Sequence, residues 1–216
     1  MKRLEGIIFD IDGTLWDSRD VVAQAWQAAI QENTSLPVNF DAESIGRHFG
    51  KPMTDIFKAI YPDLTDSEID ALTPYFYEYE HKYLREKKPQ PYHGVREVLE
   101  LLAKEYDLYI VTNGQKGYTE AMLDATDLHG YFKGWLSYGD TLEPKAVTLC
   151  QLMENYGLKR TCYVGDTMGD MNAATSAGIP FIYCTYGLGE VLGAEYQIEN
   201  ILALPDAIHK LEQEIF

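Results

Sequence analysis

Short apolar runs that each break off into a polar turn are the feature that most limits what this chain can fold into. Gly6-Ile7-Ile8-Phe9 leads into Asp10-Ile11-Asp12-Gly13, Leu108-Tyr109-Ile110-Val111 into Thr112-Asn113-Gly114, and Thr161-Cys162-Tyr163-Val164 into Gly165-Asp166. Pro180 to Cys184 is a further run, and Gly134 to Tyr138 a weaker one. Runs of this length bounded by turn residues read as buried strands. Helical patterns lie between them. Val95 to Lys104 puts Val95, Val98, Leu99 and Leu102 on one face, and Thr119 to Ala125, Ala146 to Tyr156 and Asp170 to Ala177 continue the series. Strands alternating with helices predict an α/β protein: a doubly wound, Rossmann-like parallel sheet covered on both faces.

Residues 17–88 interrupt that rhythm. They hold helical patterns over Val21 to Glu32, Met53 to Ile60 and Asp66 to Lys87, the last with Thr65 as N-cap, and no strand-like run. Pro89 and Pro91 mark the return. The expected organisation is a core domain from residues 1–16 and 89–216, with an all-helical cap domain inserted at 17–88.

Composition narrows the partners. The net charge is −16, which argues against a general nucleic-acid binder and against docking on anionic membranes, since both need clustered Lys and Arg. A small anionic substrate stays compatible, because one metal ion and a few cations reverse a local field. Cys150, Cys162 and Cys184 form no CxxC pair and read as reduced thiols. The apolar stretch after Met1-Lys2-Arg3 is broken by Asp10 and Asp12, so it makes no signal peptide. A cytoplasmic protein, monomer or homodimer, is expected.

The chemistry gathers at the strand ends. On an extended segment Asp10 and Asp12 point the same way. Two carboxylates so close need a cation or a shared proton between them, as a carboxylate nucleophile with a neighbouring acid/base would have. Asp166 ends another strand, and Asp170 follows it at helical spacing. Hard carboxylate oxygens suit Mg²⁺. Thr112, at a third strand end, has a hydroxyl for a phosphoryl oxygen, and Lys145, after Pro144, has a fixed ammonium. In an open parallel sheet all these points face one crevice.

Asp10 to Leu15, Thr112, Lys145, and Gly165-Asp166 through Asp170 with Ala173 and Ala177-Gly178 resemble, in order, the four motifs of the haloacid dehalogenase superfamily. The helical insert after the first motif resembles that family's C1-type cap, and Asp12-Gly13-Thr14-Leu15-Trp16-Asp17-Ser18 is similar to the phosphoglycolate phosphatase-like group. The resemblance implies a Mg²⁺-dependent phosphatase acting on a small phosphorylated metabolite. It makes Asp10 the nucleophile and Asp12 the acid/base, a carboxyl that does not itself bind the metal. The Asp10 carboxylate, the Ile11 carbonyl and Asp166 become the Mg²⁺ ligands, with Asp170 behind them or bound through water. Thr112, the Asn113 amide and Lys145 become the phosphoryl cradle.

Gly46-Arg47-His48-Phe49-Gly50-Lys51-Pro52 resembles the turn through which such caps reach the site, making Arg47 and Lys51 candidates for the leaving group. Plainer readings stand beside these: a helix N-terminal charge for Asp170, a surface lysine for Lys145, a solvated turn for Arg47 and Lys51. A phosphomutase, a dehalogenase and a non-catalytic binding protein are the rival functions. Gly187-Leu188-Gly189 lacks dinucleotide-loop spacing and reads as a turn.

Overall fold

The computed structural model describes residues 3–51 and 53–215. Its centre is β1 (Gly6–Phe9), buried along its whole length. It is paired in parallel with β2 (Asp107–Thr112) on one side and β4 (Thr161–Gly165) on the other. β3 (Phe132–Ser137) extends the sheet beyond β2, while β5 (Phe181–Cys184) and β6 (Tyr196–Ile198) extend it beyond β4. The order is β3-β2-β1-β4-β5-β6, all parallel. The chain therefore winds one way from β1 and then the other, and the carboxyl ends of β1 and β4 flank the switch point. A crevice opens there because the following segments leave to opposite faces.

Alternating side chains divide the core into two layers. Ile7, Phe9, Leu108, Ile110, Cys162 and Val164 face one layer, and Ile8, Tyr109, Val111 and Tyr163 the other. The first is covered by α5 (Val95–Leu102), α6 (Tyr118–Thr126) and α10 (Leu204–Ile215), the second by α8 (Lys145–Tyr156) and α9 (Met168–Ala177). Both faces being dry explains why these strands are apolar throughout. α7 (Tyr138–Thr141) is a single turn after β3.

Between β1 and α5 lie α1 (Arg19–Asn33), α2 (Ala42–Gly46), α3 (Met53–Ile60) and α4 (Asp66–Lys87). α1 packs along α4. Their shared core is aromatic: Trp26 stacks on Phe57 at 5.7 Å, and Phe76 meets Phe57 edge-on at 4.3 Å. Thr65 caps α4 in a reciprocal pair with Glu68. The chain leaves and re-enters the sheet region at one place, where Tyr92 N–H donates to the Leu15 carbonyl at 2.9 Å and Trp16 bridges Pro91.

The sheet has one strand more than the apolar runs predict. β6 is three residues long with only its ends buried, too little for a periodic signal. α2, α7 and α10 are further additions. α10 carries its burial on Leu204, Ile208 and Leu211, a spacing that does mark one helical face. Among the described residues no helix is long and apolar enough to cross a membrane. All three cysteines are free, Cys162 and Cys184 buried and Cys150 exposed.

Candidate active site

The floor of the switch-point crevice is built from buried charge. Asp10 follows β1 and is 3% exposed, Asp166 follows β4 and Asp170 lies in α9, both at 0%. Lys145 opens α8, where the helix dipole disfavours a cation. It is held there by Asp170 Oδ1 at 2.6 Å and Asp10 Oδ2 at 3.0 Å. The surface-lysine reading is thus excluded by geometry.

Asp170 has two tasks. Its Oδ2 accepts from the Asp166 N–H (3.2 Å), the Thr167 N–H (2.9 Å) and the Thr167 hydroxyl (2.7 Å). Thr167 in turn caps α9 by accepting from the Asp170 N–H. The helix-start charge and the clamp on Lys145 are one residue.

This division of contacts sets the electrostatics. Burial alone would raise Asp170, but Lys145 and the Thr167 bonds outweigh it and hold its carboxyl below the usual range. Asp10 has the weaker share of Lys145. Burial, with Asp170 and Asp166 nearby, pushes it well above that range. Burial also raises Asp166, to about 7, with Asp170 adding to it. Lys145 stays raised despite burial because two carboxylates face it.

Three carboxylates against one ammonium leave the pocket short of positive charge. Asp10, Asp166 and Asp170 offer oxygens within 4.8 Å of one another. Asp10 Oδ1 is buried and finds no hydrogen-bond partner among the described residues. Unmatched buried oxygens of this hard type fit a small divalent cation.

The backbone differs from expectation at Ile11. Its carbonyl accepts from the N–H groups of Leu15 (2.8 Å), Thr14 (3.2 Å) and Trp16 (3.4 Å). Its lone pairs are spent on the turn, so it is a poor candidate for a metal ligand. The Asp12 carbonyl accepts no hydrogen bond among the described residues.

Asp12 lines the same cavity as Asp10. Its Oδ1 accepts from Ser18 Oγ (2.6 Å), Tyr118 Oη (2.6 Å) and Trp16 Nε1 (3.0 Å). Ser18 precedes α1 yet makes no side-chain cap bond there, its hydroxyl being committed to Asp12. Burial nonetheless raises the Asp12 carboxyl against these donors.

Thr112 and Asn113 complete the rim. The Thr112 hydroxyl accepts from the Gly114 N–H at 3.2 Å, leaving its proton for another acceptor. Asn113 Nδ2 donates to the Gly50 carbonyl at 2.6 Å, joining the rim to the helical insert. Phe49, Gly50 and Lys51 line the cavity, whereas Arg47 does not. Arg47 is exposed and paired with Glu43 at 2.7 Å, and it lines the adjoining cavity, with Thr167 and Leu188, rather than this one. Pro52 lies outside the described residues.

Sequence reasoning missed several groups that shape the site. The Leu188 N–H donates to Asp166 Oδ2 at 2.7 Å. A Cβ on Gly187 would stand 2.2 Å from the Asp166 Cβ, and one on Gly13 2.0 Å from Asp166 Oδ2. The glycine turn after β5 and the one after β1 thus close around Asp166. Tyr118, Glu80, Trp26 and Gln115 also line the cavity. None carries a local signal, though an aromatic hydroxyl soon after the Thr112 strand end was available as a hint.

A doubly wound sheet with carboxylates at the switch point, beneath a helical cover, is the construction of an α/β enzyme. The chain belongs to the haloacid dehalogenase-like hydrolase family, whose model matches residues 7–184. A phosphoglycolate phosphatase from Chromobacterium violaceum is 30% identical, over 95% of this chain and 97% of its own length. Another, from Agrobacterium fabrum, is 28% identical, over 93% and 91%. A haloacid dehalogenase-like family hydrolase from Streptococcus pneumoniae superposes with a TM-score of 0.80 at 26% identity, over 95% of this chain and 99% of that one.

Proposed function

We propose that this chain is a Mg²⁺-dependent phosphomonoester phosphatase that cleaves a small phosphorylated metabolite through an aspartyl phosphate on Asp10. One observation carries the reading: a buried carboxylate braced by Lys145 on one oxygen and, among the described residues, lacking a hydrogen-bond partner on the other, at the floor of a cavity it shares with Asp12. The family membership and the relatives named phosphoglycolate phosphatase support it.

Asp10 attacks phosphorus, the ester bond breaks, and the departing alkoxide takes a proton from Asp12. Asp12, now a carboxylate, accepts a proton from the water that cleaves the acyl phosphate. Burial favours its protonated form, which serves the first half of the cycle, while the Ser18, Tyr118 and Trp16 donors favour the carboxylate that serves the second. Lys145 spends two N–H bonds on Asp10 and Asp170 and has a third for a phosphoryl oxygen. The Thr112 hydroxyl supplies another.

The Asp10 and Asp166 carboxylates and the Asp12 carbonyl are the groups left to hold Mg²⁺, with Asp170 fixing Asp166 and Lys145 from behind. Mg²⁺, when bound, supplies charge neutralisation at the phosphoryl oxygens.

Removing the metal is the first test. EDTA is expected to cut phosphate release from an aryl phosphate at least a hundredfold, with recovery on adding Mg²⁺. Activity that survives chelation would favour a metal-free displacement such as dehalogenation. Product analysis with a sugar phosphate separates the phosphatase, which yields free phosphate, from a mutase, which yields an isomer.

The Tyr118 bond to Asp12 gives a finer test. Tyr118→Phe removes one of three donors from a buried carboxylate, worth roughly 1.5 kcal/mol or about tenfold in rate. Losing a donor to the charged form raises the Asp12 pKa further. The rising limb of kcat against pH should then move to higher pH, because the base form appears later. An unmoved limb would detach Tyr118 from the proton transfers.

A further inference from the structure

The cavity wall contributed by the insert holds a buried carboxyl that the phosphoryl chemistry does not use. Glu80, on α4, is 3% exposed and lines the cavity with Asp10 and Asp12. Its Oε2 accepts from Trp26 Nε1 at 2.6 Å and its Oε1 from Gln115 Nε2 at 2.8 Å. The neighbouring wall is apolar: Val22, Met53, Ile56 and Phe49. Burying a carboxyl there is costly even with partners, and Met or Leu would complete the wall more cheaply. Burial pushes Glu80 up to about 7 even though Gln115 and Trp26 donate to it.

What the wall lacks matters equally. Among the described residues lining this cavity, Lys51 is the only cation, and its side chain is exposed. Each Glu80 oxygen has one lone pair beyond those used by Trp26 and Gln115, and an ionised carboxylate only accepts. The complementary group is a hydrogen-bond donor. A second carboxylate would meet like charge in a cavity of about 50 Å³.

We infer that Glu80 selects the leaving group, favouring a small alcohol that carries a hydroxyl or ammonium donor and disfavouring one that carries a carboxylate. The inference rests on the phosphatase reading and narrows its substrate class. It separates this chain from its relatives named phosphoglycolate phosphatase, since phosphoglycolate bears a carboxylate. Trp26 and Gln115 are positioning residues that aim Glu80.

Four two-carbon esters isolate the effect: ethylene glycol monophosphate (hydroxyl), phosphoethanolamine (ammonium), phosphoglycolate (carboxylate) and ethyl phosphate (neither). They are assayed with the full chain and Mg²⁺ at pH 8, a pH chosen to favour the Glu80 carboxylate. At least one donor-bearing ester is expected to exceed both phosphoglycolate and ethyl phosphate tenfold or more in kcat/KM. E80Q should shrink the phosphoethanolamine-to-ethyl phosphate ratio at least tenfold. It should shrink the hydroxyl ester's ratio less, because the amide keeps an accepting oxygen. A general packing defect would lower all four esters together and leave the ratios in place.

Phosphoglycolate as the preferred ester, or ratios in E80Q within twofold of wild type, overturns the inference. If E80Q does not fold, the wild-type ranking alone decides. Silence on all four esters with turnover of an aryl phosphate overturns the inference and spares the phosphatase reading, whereas silence on the aryl phosphate as well removes both.

Discussion

Asp10→Asn is expected to lower phosphate release by roughly 10⁴-fold or more while leaving the fold intact, since removing a covalent nucleophile removes the step rather than weakening it. The amide has the same shape but cannot form the acyl phosphate. Stability should move little or rise. Asp10 has a raised pKa in the folded state, so its ionised form is a penalty present above the unfolded pKa, and a neutral amide removes that penalty. Asp170 still holds Lys145 at 2.6 Å. Thermal melting beside a single-turnover assay checks both statements. Retained turnover would take the nucleophile role from Asp10, and a collapsed fold would make the residue structural first.

Lys145→Met should be the most damaging change to the resting protein. Among the described residues the ammonium is the only cation in direct contact with Asp10 and Asp170, and both carboxylates are buried. Removing one partner from a buried pair costs roughly 3–5 kcal/mol, because the charge left behind has neither water nor counter-ion. In the variant Asp10, already raised, rises further and Asp170 loses the cation that held it low, so the folded form binds more protons than the unfolded one. Stability is then regained as pH falls and lost as pH rises through those values.

Lowered pH and added Mg²⁺ should each recover part of the melting temperature, for the same reason. Lys145→Met combined with Asp170→Asn should be more stable than Lys145→Met alone and equally inactive. Denaturant unfolding across pH makes the comparison, and a Lys145→Met loss that does not depend on pH would mean the lysine stem, not its charge, supports the core.

How much of this was visible beforehand follows from what each residue's role depends on. Asp10, Thr112 and Asp166 lie where apolar runs stop, and parallel pairing of β1, β2 and β4 carries those ends to one edge. A strand end is a local property, so it can be read locally. Thr65 before α4 was legible for the same reason.

Glu80 was not. It stands in Glu78-Tyr79-Glu80-His81, where any charge reads as solvated. Its burial depends on Trp26 and Gln115, partners 54 and 35 residues away. The Leu188 N–H is a backbone group, so residue type says nothing about its bond to Asp166. The choice between the Ile11 and Asp12 carbonyls turns on which oxygen the turn after β1 consumes, a question of backbone geometry. Arg47 could not be decided from its neighbours in the chain, because basic residues in a turn suit an anion and a surface pair with Glu43 equally well.

Trapping the intermediate tests the central claim most directly. The protein is mixed with Mg²⁺ and a turned-over phosphate ester, quenched with borohydride, digested and mapped by mass spectrometry. An acyl phosphate on a carboxylate is reduced to the alcohol, so the account predicts homoserine at position 10, dependent on both substrate and Mg²⁺. Reduction at another carboxylate, or none while phosphate is still being released, would contradict it.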